Sequence, residues 1–487
     1  KPLAQLFHQL PFSIGTPLLQ NSTMNAPDSS YIRFALVDMN GKELSKVVPA
    51  RHRENPVYMY IGVMGMGANA KVLTIPKEVM DAGCPNSSLV PDWDTEQVLP
   101  WACRRGVVVK RVWCEQRMGN LSANMSLSNA ELNRAVPRTA CRCLLDELRA
   151  FEGRGLEFLS GGELEFTLLK EDAAGTWQPY FQGVDLFATM QNVKAENYFF
   201  DLDRDMSTVG VDFLTFNAEY GAGQVELSFV PRLGIQALDN IATFRQGAKE
   251  VASRGGLRAT FMSRPFGVAG VGNGGHFNFS LWSPTQETQR EPSIISGPTK
   301  GYRSEIHSAE DALGLSATAK SFLAGILAHA PAMEAFAAPT PPCYTRHGNW
   351  APVRADWGAE HRLSCVRVKS DPQGSPDFAY MEYRAPSASA NAYLVAASLI
   401  AAGLDGLQRK LELPAAGDEA GATLPTDLPS ALAALEADQY MVSKLSPTLV
   451  SYYKLMKEGE IAHLESLPHS TDEEVSAAWR EMYCEYV

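Results

Sequence analysis

Apolar and polar residues alternate regularly over residues 161–170, in the stretch GGELEFTLLK. The alternation predicts a β-strand whose apolar residues share one face, while Glu163 and Glu165 share the other. A pair of carboxylates on one strand is most often the solvent-facing side of a half-buried sheet. Other residues must therefore indicate whether this pair is a functional site.

The same kind of patterning predicts the other elements along the chain. Alternation predicts a hairpin that starts at Tyr31 and turns at Asn40-Gly41, because Asn-Gly is a strong hairpin signal. Further strands are predicted at 62–73, 98–115 and 274–282. Apolar residues at helical spacing predict helices at 138–155, 234–255 and 319–336, and a helical tail from Pro425 to Val487 that includes the amphipathic stretch SALAALEADQYMVSKL.

The length of 487 residues is more than one typical core requires, so we expect at least two domains. Residues 1–28 are predicted to form a loosely attached helical arm. Residues 29–130 are rich in strand patterns and predict a small β domain, and residues 131–487 alternate between strand and helix patterns.

Composition and charge exclude several classes of protein. With 43 basic and 55 acidic residues the net charge is -12, which disfavours nucleic-acid and membrane-surface partners. The longest apolar segment, NAYLVAASLIAAGLDGL, is too short and interrupted to cross a bilayer. The 8 cysteines include no C-x-x-C pair, as in proteins of a reducing compartment, and we expect a cytoplasmic protein.

Four further places set charged residues in apolar or glycine-rich surroundings. They are Glu219 and Glu226 on either side of a glycine loop, His276 at the start of a predicted strand, Arg362 and Arg367 on another, and Glu382 and Arg384 two residues apart. Each is weak alone, because a lone histidine is often structural and a strand arginine usually pairs with a neighbour. The sequence GVGNGG fits G-x-G-x-x-G, but a strand follows it instead of a helix, which argues against a dinucleotide loop.

In this order the motifs resemble those of the class I glutamine synthetase superfamily. The resemblance runs from about residue 30 to the C-terminus and includes VDMNGKELSKVVPA, VPDWDTEQVLPW and ANAYLVAASLIAAGLDGL. Details such as GQVELSFVPRLGIQALDNIATFRQGAKEVA look most like the animal branch called lengsin, the lens glutamine-synthetase-like protein. The resemblance implies an α+β fold, with an N-terminal β-grasp domain and a glutamine-synthetase-type catalytic domain in which helices surround an antiparallel active-site funnel.

The resemblance also implies a metal centre in that funnel. Two or three Mg²⁺ or Mn²⁺ ions are implied, one held by Glu163, His276 and Glu382 and another held by Glu165, Glu219 and Glu226. This set consists mostly of carboxylate oxygens, which are hard ligands, together with one imidazole. Such a set suits these metals better than zinc. Buried carboxylates placed so close together would repel one another strongly without cations.

Family chemistry is the transfer of a phosphoryl group from ATP to the γ-carboxylate of glutamate, after which an amine attacks the acyl phosphate. By matching position, the catalytic residues would be Arg362, Arg384 and Glu382, the substrate-binding residues Arg346, Trp350, Gly272 and Arg367, and the nucleotide-binding residues Ser280, Asn278 and Arg367. Such transfer depends on positioning and on neutralising phosphate charge.

This chain departs from the family pattern at the acceptor side. Family members that use ammonia carry a D-G-S-S segment whose aspartate enters the neighbouring subunit's site, and here the region reads GVMGMGANAK. Without that carboxylate, ammonium is poorly attracted and deprotonated, so we expect another amine as acceptor. Trp350 stands in place of a family acidic residue and resembles members that take bulky amines.

Other departures affect the glutamate and nucleotide sides. Val271 replaces an asparagine that helps to hold glutamate, and Asn278 replaces the second histidine of H-x-H. Two basic residues that the family uses near the nucleotide align with Asp377 and Tyr380. These changes predict weaker binding of glutamate and ATP.

Two hypotheses follow. The first is an ATP-dependent ligase that joins glutamate, or a related acid, to an amine. The second is a catalytically inactive, lengsin-like structural protein or chaperone of the lens that associates with intermediate filament proteins. The retained ligand set favours the first, because buried charges are costly to keep without a role, and the departures favour the second. In either case the resemblance implies a homo-oligomer of two stacked rings, usually twelve subunits, in which neighbours complete each active site.

Overall fold

The computed structural model describes residues 29–104, 106–117, 128–183, 185–285, 301–369 and 379–487. The arm predicted at residues 1–28 lies outside the described residues. The remaining domain boundaries stay predictions.

The described N-terminal region forms a six-stranded mixed sheet with the order β2-β1-β6-β4-β3 and with β5 paired to β6. The strand bounds are β1 Ser30–Val37, β2 Glu43–Pro49, β3 Val57–Tyr60, β4 Asn86–Pro91, β5 Gln97–Val98 and β6 Val108–Arg117. The hairpin predicted at Asn40-Gly41 is confirmed, since β1 and β2 pair antiparallel and Gly41 has a φ of 77°. β1 also pairs in parallel with β6.

The strand predicted at 62–73 is wrong. Residues 61–65 form a 3₁₀ helix, and only an isolated bridge joins Met66 to Leu73. The glycines explain the difference, because a Cβ on Gly65 would lie 1.9 Å from the carbonyl oxygen of Thr74. Glycine here lets the chain fold back on itself more tightly than a strand allows.

The second sheet has eleven strands among the described residues, and its main path runs β15-β16-β17-β13-β7-β10-β9. Its strands are β7 Glu157–Glu171, β8 Trp177–Pro179, β9 Phe213–Ala218, β10 Gln224–Phe229, β11 Arg232–Leu233, β12 Leu257–Thr260, β13 Gly275–Pro284, β14 Tyr302–Ser304, β15 Trp357–Ala359, β16 Val366–Lys369 and β17 Tyr380–Tyr383. Neighbours on this path pair antiparallel except β15 and β16. The long central strand β7 carries the alternating stretch GGELEFTLLK.

Helices pack around the second sheet. They are α1 Lys77–Asp81, α2 Asn129–Arg134, α3 Pro137–Ala150, α4 Thr189–Ser207, α5 Ile235–Arg254, α6 Ala317–Ala337, α7 Pro341–Tyr344, α8 Ala392–Arg409, α9 Leu428–Ala437, α10 Gln439–Leu445, α11 Pro447–Glu465 and α12 Asp472–Tyr483. The three long helices predicted from apolar spacing correspond to α3, α5 and α6, and the predicted helical tail is present. The stretch SALAALEADQYMVSKL is divided at Asp438, whose side chain accepts a hydrogen bond at the start of α10.

The long apolar run near residue 400 forms α8, which is buried against α6. Gly325 and Gly406 allow this contact, because a Cβ on Gly325 would lie 2.1 Å from the carbonyl oxygen of Ala402. None of the helices in the described ranges is long and apolar enough to cross a membrane. The predicted α+β class is confirmed, with a β-rich N-terminal domain and a larger domain built on the antiparallel sheet.

Candidate active site

Strand register gathers the predicted ligands on one face of the large sheet. Glu163 on β7 lies directly opposite His276 on β13, and Glu165 lies directly opposite Glu226 on β10. Directly paired residues of an antiparallel ladder project from the same face. The other face of β7 carries buried apolar side chains, as the alternation predicted.

Three of the ligands form a compact cluster. In the part of the chain that the structure describes, only Glu163, His276 and Glu382 bring three potential metal-ligand atoms within 4.8 Å of one another. The Nδ1 atom of His276 lies 3.5 Å from Oε1 of Glu382. This is the first trio that the sequence predicted.

The second predicted trio lies beside the first but is less tightly gathered. Glu165 accepts hydrogen bonds from Nε2 of Gln224 at 3.0 Å and from the backbone N–H of Gly274 at 2.7 Å. Glu219 lies just beyond β9 and accepts a hydrogen bond from Asn217 at 3.1 Å. That Glu165, Glu219 and Glu226 share one ion stays a prediction.

The carboxylates strongly affect one another. Burial, and then the negative charges of Glu163, Glu165 and Glu219, raise the pKa of Glu226 to about 9. Burial likewise raises the pKa of Glu165 to about 7, although the N–H of Gly274 opposes the shift. Burial is the main cause of both shifts and the repulsion between carboxylates adds to it, although the charge of Arg346 opposes the shift at Glu165.

The opposite wall is rich in cations. Glu382 accepts hydrogen bonds from Nη1 of Arg384 and from Nη1 of Arg367, the latter at 3.1 Å, and Nζ of Lys369 lies 3.5 Å from its Oε2. Burial opposes the ionisation of Glu382, but His276 and then these basic neighbours lower its pKa to about 2. Burial and the charge of Arg384 lower the pKa of His276 to about 3, so its imidazole is neutral and able to bind a metal.

The space between these groups fits a divalent cation. Gly274 lies between the two ligand groups. A Cβ there would make ordinary contacts with Nε2 of His276 at 3.4 Å and Oε1 of Glu165 at 3.5 Å, and a tight one with Nη2 of Arg346 at 3.0 Å. The side-chain oxygen of Asn278 is buried without a hydrogen-bond partner, and Asn278 donates to Glu163 at 3.4 Å. Hard carboxylate oxygens and a neutral imidazole gathered within 4.8 Å suit Mg²⁺ or Mn²⁺.

Two predicted substrate-binding residues lie together at the edge of the funnel. Arg346 is 6% exposed, and its side chain packs so closely on Gly272 that a Cβ there would lie 2.7 Å from Cγ of the arginine. The carbonyl of Gly272 accepts a hydrogen bond from Gln224 at 3.0 Å. Trp350, by contrast, is 70% exposed with a φ of 64°, and the structure does not bring it to the ligands.

The prediction that Arg362 lies on a strand is wrong. β16 begins at Val366, and Arg362 lies exposed in the preceding turn, which is closed by a 2.9 Å contact between His361 and Ser364. Such a local side-chain bond favours a turn over the backbone pairing of a strand. The charge of Arg362 still reaches Glu219, where it opposes the rise in pKa that burial causes.

The residues predicted for the nucleotide follow one strand face. Ser280 lies two residues beyond Asn278 on β13 and accepts a hydrogen bond from Nε1 of Trp282 at 2.8 Å. Both residues alternate with buried phenylalanines, so they face the funnel. Arg367 belongs to this wall, and Asp377 lies outside the described residues.

Comparison with known proteins identifies the family. The model of the glutamine synthetase catalytic domain matches residues 135–476, which is more than half of the chain. The chain belongs to the glutamine synthetase family.

Relatives in this family carry different names. A γ-glutamylpolyamine synthetase of Streptomyces coelicolor is 33% identical over 72% of this chain and 74% of its own length. A glutamate–methylamine ligase of Methyloversatilis universalis is 28% identical over 92% of this chain and 95% of its own. Human lengsin is 28% identical over 89% of this chain and 81% of its own.

Solved structures share the fold. A crystal structure of a glutamine synthase homolog superimposes with a TM-score of 0.77 at 21% identity, covering 96% of this chain and all of the other. An ADP complex of GmaS gives a TM-score of 0.72 at 23% identity, covering 90% and 95% of the two chains. The family resemblance seen in the motifs is therefore confirmed, and with it the expected fold.

Sequence reasoning missed Lys369 in this glutamine-synthetase-type funnel. The residue ends β16, two positions after Arg367, and its ammonium approaches Glu382. A signal was present, because the alternation VRVK places both basic residues on one strand face. The family motif that located Arg367 does not extend to this position.

Proposed function

We propose that this chain is an ATP-dependent ligase that joins the γ-carboxylate of glutamate to an organic amine other than ammonia, releasing ADP and phosphate. One observation carries the proposal: adjacent strands of one sheet set a carboxylate-rich wall beside a cation-rich wall, and Glu163, His276 and Glu382 gather within 4.8 Å where the two meet. A polyphosphate and divalent cations are the ligands that balance both walls.

In this proposal Glu163, His276 and Glu382 would hold one Mg²⁺ or Mn²⁺ ion, and Glu165, Glu219 and Glu226 another. Such ions neutralise phosphate charge during phosphoryl transfer. The protein contributes rigidity, because most of these side chains project from paired strands.

The basic residues would orient the transferred group. Glu382 holds Arg367 and Arg384 by hydrogen bonds, so both guanidinium groups are fixed before a substrate arrives. Fixed donors stabilise developing phosphate charge without the cost of reorganisation. Arg362 in its exposed turn would contribute charge from the rim, and Arg346 beside Gly272 would bind a carboxylate of glutamate.

After phosphoryl transfer, the amine would attack the acyl carbon. A carboxylate of the acidic wall would first accept a proton from the cationic amine, which frees its lone pair. The C–N bond then forms as the bond between the acyl carbon and the phosphate oxygen breaks, and phosphate leaves with the second amine proton. The acidic wall would attract a cationic amine to this point. The names of the polyamine and methylamine ligases among the relatives support an organic amine, as does the tight glycine-rich turn at 61–67, where a D-G-S-S segment was not found. A homo-oligomeric double ring, with neighbouring subunits closing each funnel, belongs to the same proposal.

The decisive test is ADP release by the purified full-length chain with ATP, Mg²⁺ or Mn²⁺, glutamate and a panel of amines. We expect release to depend on one class of organic amine and to fall by more than about tenfold in Glu226→Gln, which removes a ligand charge while keeping the side-chain size. Glu171→Gln is the matched control, because Glu171 ends β7, the strand that pairs with β10, and its side chain is exposed. Equal loss in both variants would contradict the assigned role of Glu226.

A second candidate function is a lengsin-like scaffold that associates with intermediate filament proteins. It is favoured by the cation-rich wall, where Arg367, Lys369 and Arg384 already balance Glu382 without a metal ion. A funnel stabilised in this way can persist without turnover. Absence of ADP release with every amine, together with nucleotide-independent binding to filaments, would support this candidate and overturn the ligase.

A further inference from the structure

Lys369 shares the funnel face of β16 and β17 with the groups already described. Register pairs Arg367 with Glu382 and Lys369 with Tyr380, two positions farther along. Asn278 on the next strand is also opposite Glu382. Because directly paired residues share a face, Lys369 and Tyr380 extend the cation-rich wall away from the metal ligands and toward the Ser280 side.

The cations of this wall lie at unequal distances from its carboxylates. Arg367 and Arg384 hydrogen-bond to Glu382, and Arg367 also contacts the half-exposed Glu360 at 2.6 Å. Lys369 lies 3.5 Å from Glu382, and the charge of Glu163 also acts on it. Lys369 is therefore the cation of this wall that an anion in the funnel can approach with the least disturbance of existing hydrogen bonds.

Lys369 is the cation of this wall that is least committed to Glu382. Its Nζ lies 3.5 Å from Oε2, an oxygen that already accepts a 3.1 Å hydrogen bond from Arg367. The ammonium also lies 4.9 Å from the centre of the Tyr380 ring. Burial opposes the charged form of Lys369, but the charge of Glu382 and a side-chain hydrogen bond with Tyr380 raise its pKa, so this tyrosine supports the charged lysine from the opposite strand. Its side chain is 22% exposed, so a ligand in the funnel can reach it.

We propose that Lys369 binds the phosphate chain of the nucleotide, with Tyr380 supporting the lysine side chain from the opposite position of the ladder. This inference rests on the proposed function, which requires ATP in the funnel. A lysine ammonium is a compact point charge on a flexible stem, suited to phosphate oxygens. Its contribution should therefore grow with the number of phosphates on the ligand.

The test compares nucleotide binding to the full-length chain in Mg²⁺ by titration calorimetry, with adenosine, ADP and a non-hydrolysable ATP analogue as probes. We expect Lys369→Met to raise the Kd of ADP and of the ATP analogue by about tenfold or more, because a charge-assisted bond to phosphate is lost, and to leave adenosine binding unchanged. Lys369→Arg should recover most of the affinity. Lys170→Met, an exposed lysine at the end of β7, is the control and should change none of the three values.

Two outcomes would overturn the inference and differ from failure of the ligase itself. If Lys369→Met binds ADP and the ATP analogue within twofold of the unmodified chain, while both proteins turn over, Lys369 has no phosphate role and the ligase stands. If adenosine, ADP and the analogue all weaken equally, Lys369 acts only in the structure around Glu382. If the unmodified chain binds no nucleotide and releases no ADP, the proposed function fails first.

Discussion

At the scale of single residues, Gly274 is the position where one added methyl group tests the metal site. Its Cβ would lie 3.0 Å from Nη2 of Arg346, 3.4 Å from His276 and 3.5 Å from Glu165. The 3.0 Å contact is tight, so Arg346 would have to move and would disturb the carboxylates beside it. We expect Gly274→Ala to fold but to reduce the thermal stabilisation that Mn²⁺ gives, which for a ligand at a hundred times its Kd is about 2.7 kcal/mol. Differential scanning calorimetry with and without Mn²⁺ measures the effect.

Gly255→Ala is the matched control for this substitution. Gly255 follows α5, has a φ of -84°, and offers its Cβ an ordinary contact at 3.5 Å. The control variant should keep the full response to Mn²⁺. If Gly274→Ala responded as strongly as the control, the space beside Glu165 would have no part in metal binding.

The sequence predicted the orientation of single residues correctly where the two-residue period of a strand determines which face a side chain occupies. Glu163 and Glu165 could be assigned to one face because side chains of a strand alternate strictly. The position of Arg362 in a turn could not be predicted in this way. The local contact between His361 and Ser364 keeps this segment out of the strand that begins at Val366. The exposure of Trp350 likewise depends on how its loop packs, which no local pattern records.

At the scale of elements, a buried histidine joins three helices. His329 on α6 contacts Asp438, at the start of α10, through Nδ1 at 2.5 Å and Asp405 on α8 through Nε2 at 3.0 Å. Tyr440 stacks on the ring at 5.4 Å, and Arg409 contacts Asp405 at 2.9 Å. With a carboxylate at each nitrogen, the doubly protonated imidazolium is the form that this junction stabilises.

The pH dependence of stability follows from that junction. Burial opposes the charged form, but the hydrogen bonds to Asp438 and Asp405 raise the pKa of His329 above its ordinary value of 6.5. The stabilisation is therefore fully present below about pH 6.5 and is lost as pH rises through the folded-state pKa. We expect the unfolding free energy to fall there by up to about 1.4 kcal/mol per pH unit. Denaturant unfolding between pH 6 and 9 measures the slope.

His329→Gln should remove this part of the slope, since glutamine does not titrate. His469→Gln is the control, because His469 is exposed and bonded only to a nearby backbone carbonyl. The lowered pKa of Asp438 acts at acidic pH, where stability is lost as pH falls through it, and so does not enter this window. An unchanged slope in His329→Gln would contradict the assignment.

Helices were predictable when their apolar repeat continued over several turns. α5 and α6 repeat apolar residues over several turns, and their spans matched closely. The strand expected at 62–73 failed because apolar residues alternate there with glycines that serve close backbone contact instead of pairing. The helix break at Asp438 could not be predicted from the apolar pattern, which continues across it. The break occurs because the Asp438 side chain caps a new helix at this point.

At the scale of the whole molecule, a buried lysine connects the N-terminal hairpin to the C-terminal helices. Nζ of Lys457 on α11 donates to Asn40 at 2.5 Å and to Glu460 at 2.9 Å, and neither charged side chain is exposed. The other oxygen of Glu460 accepts from the backbone N–H of Ala68 at 2.7 Å. We expect Lys457→Met to lower the unfolding free energy by about 3 kcal/mol, because it leaves Glu460 charged and unpaired in the interior.

Lys454→Met, one turn earlier on the same helix, is the comparison for this prediction. Lys454 pairs with Glu436 and Glu458 at the surface, and such pairs contribute less than about 1 kcal/mol. Chemical denaturation of both variants should separate them clearly. Similar small losses in both would mean that the hairpin is held mainly by its apolar contacts.

The assembly of the funnel was predictable only through the family resemblance. Its walls come from β7, β10, β13, β16 and β17, which are separated by up to about two hundred residues of chain. Short-range patterns predict each strand but not which strands become neighbours. The order of motifs along the chain supplied that information, and the described sheet agrees with it.

The pairing of Lys369 with Tyr380 has a consequence for how members of this family diverge. Two side chains that are paired on neighbouring strands reach the same volume. A basic residue at either position can therefore place its positive charge at the same point. Aligned sequences of family members would then show the loss of a basic residue at one position together with the gain of a basic residue at the position paired with it. If Lys369 binds phosphate as proposed, we expect family members to keep the summed charge of this pair of positions while the identity of either residue varies.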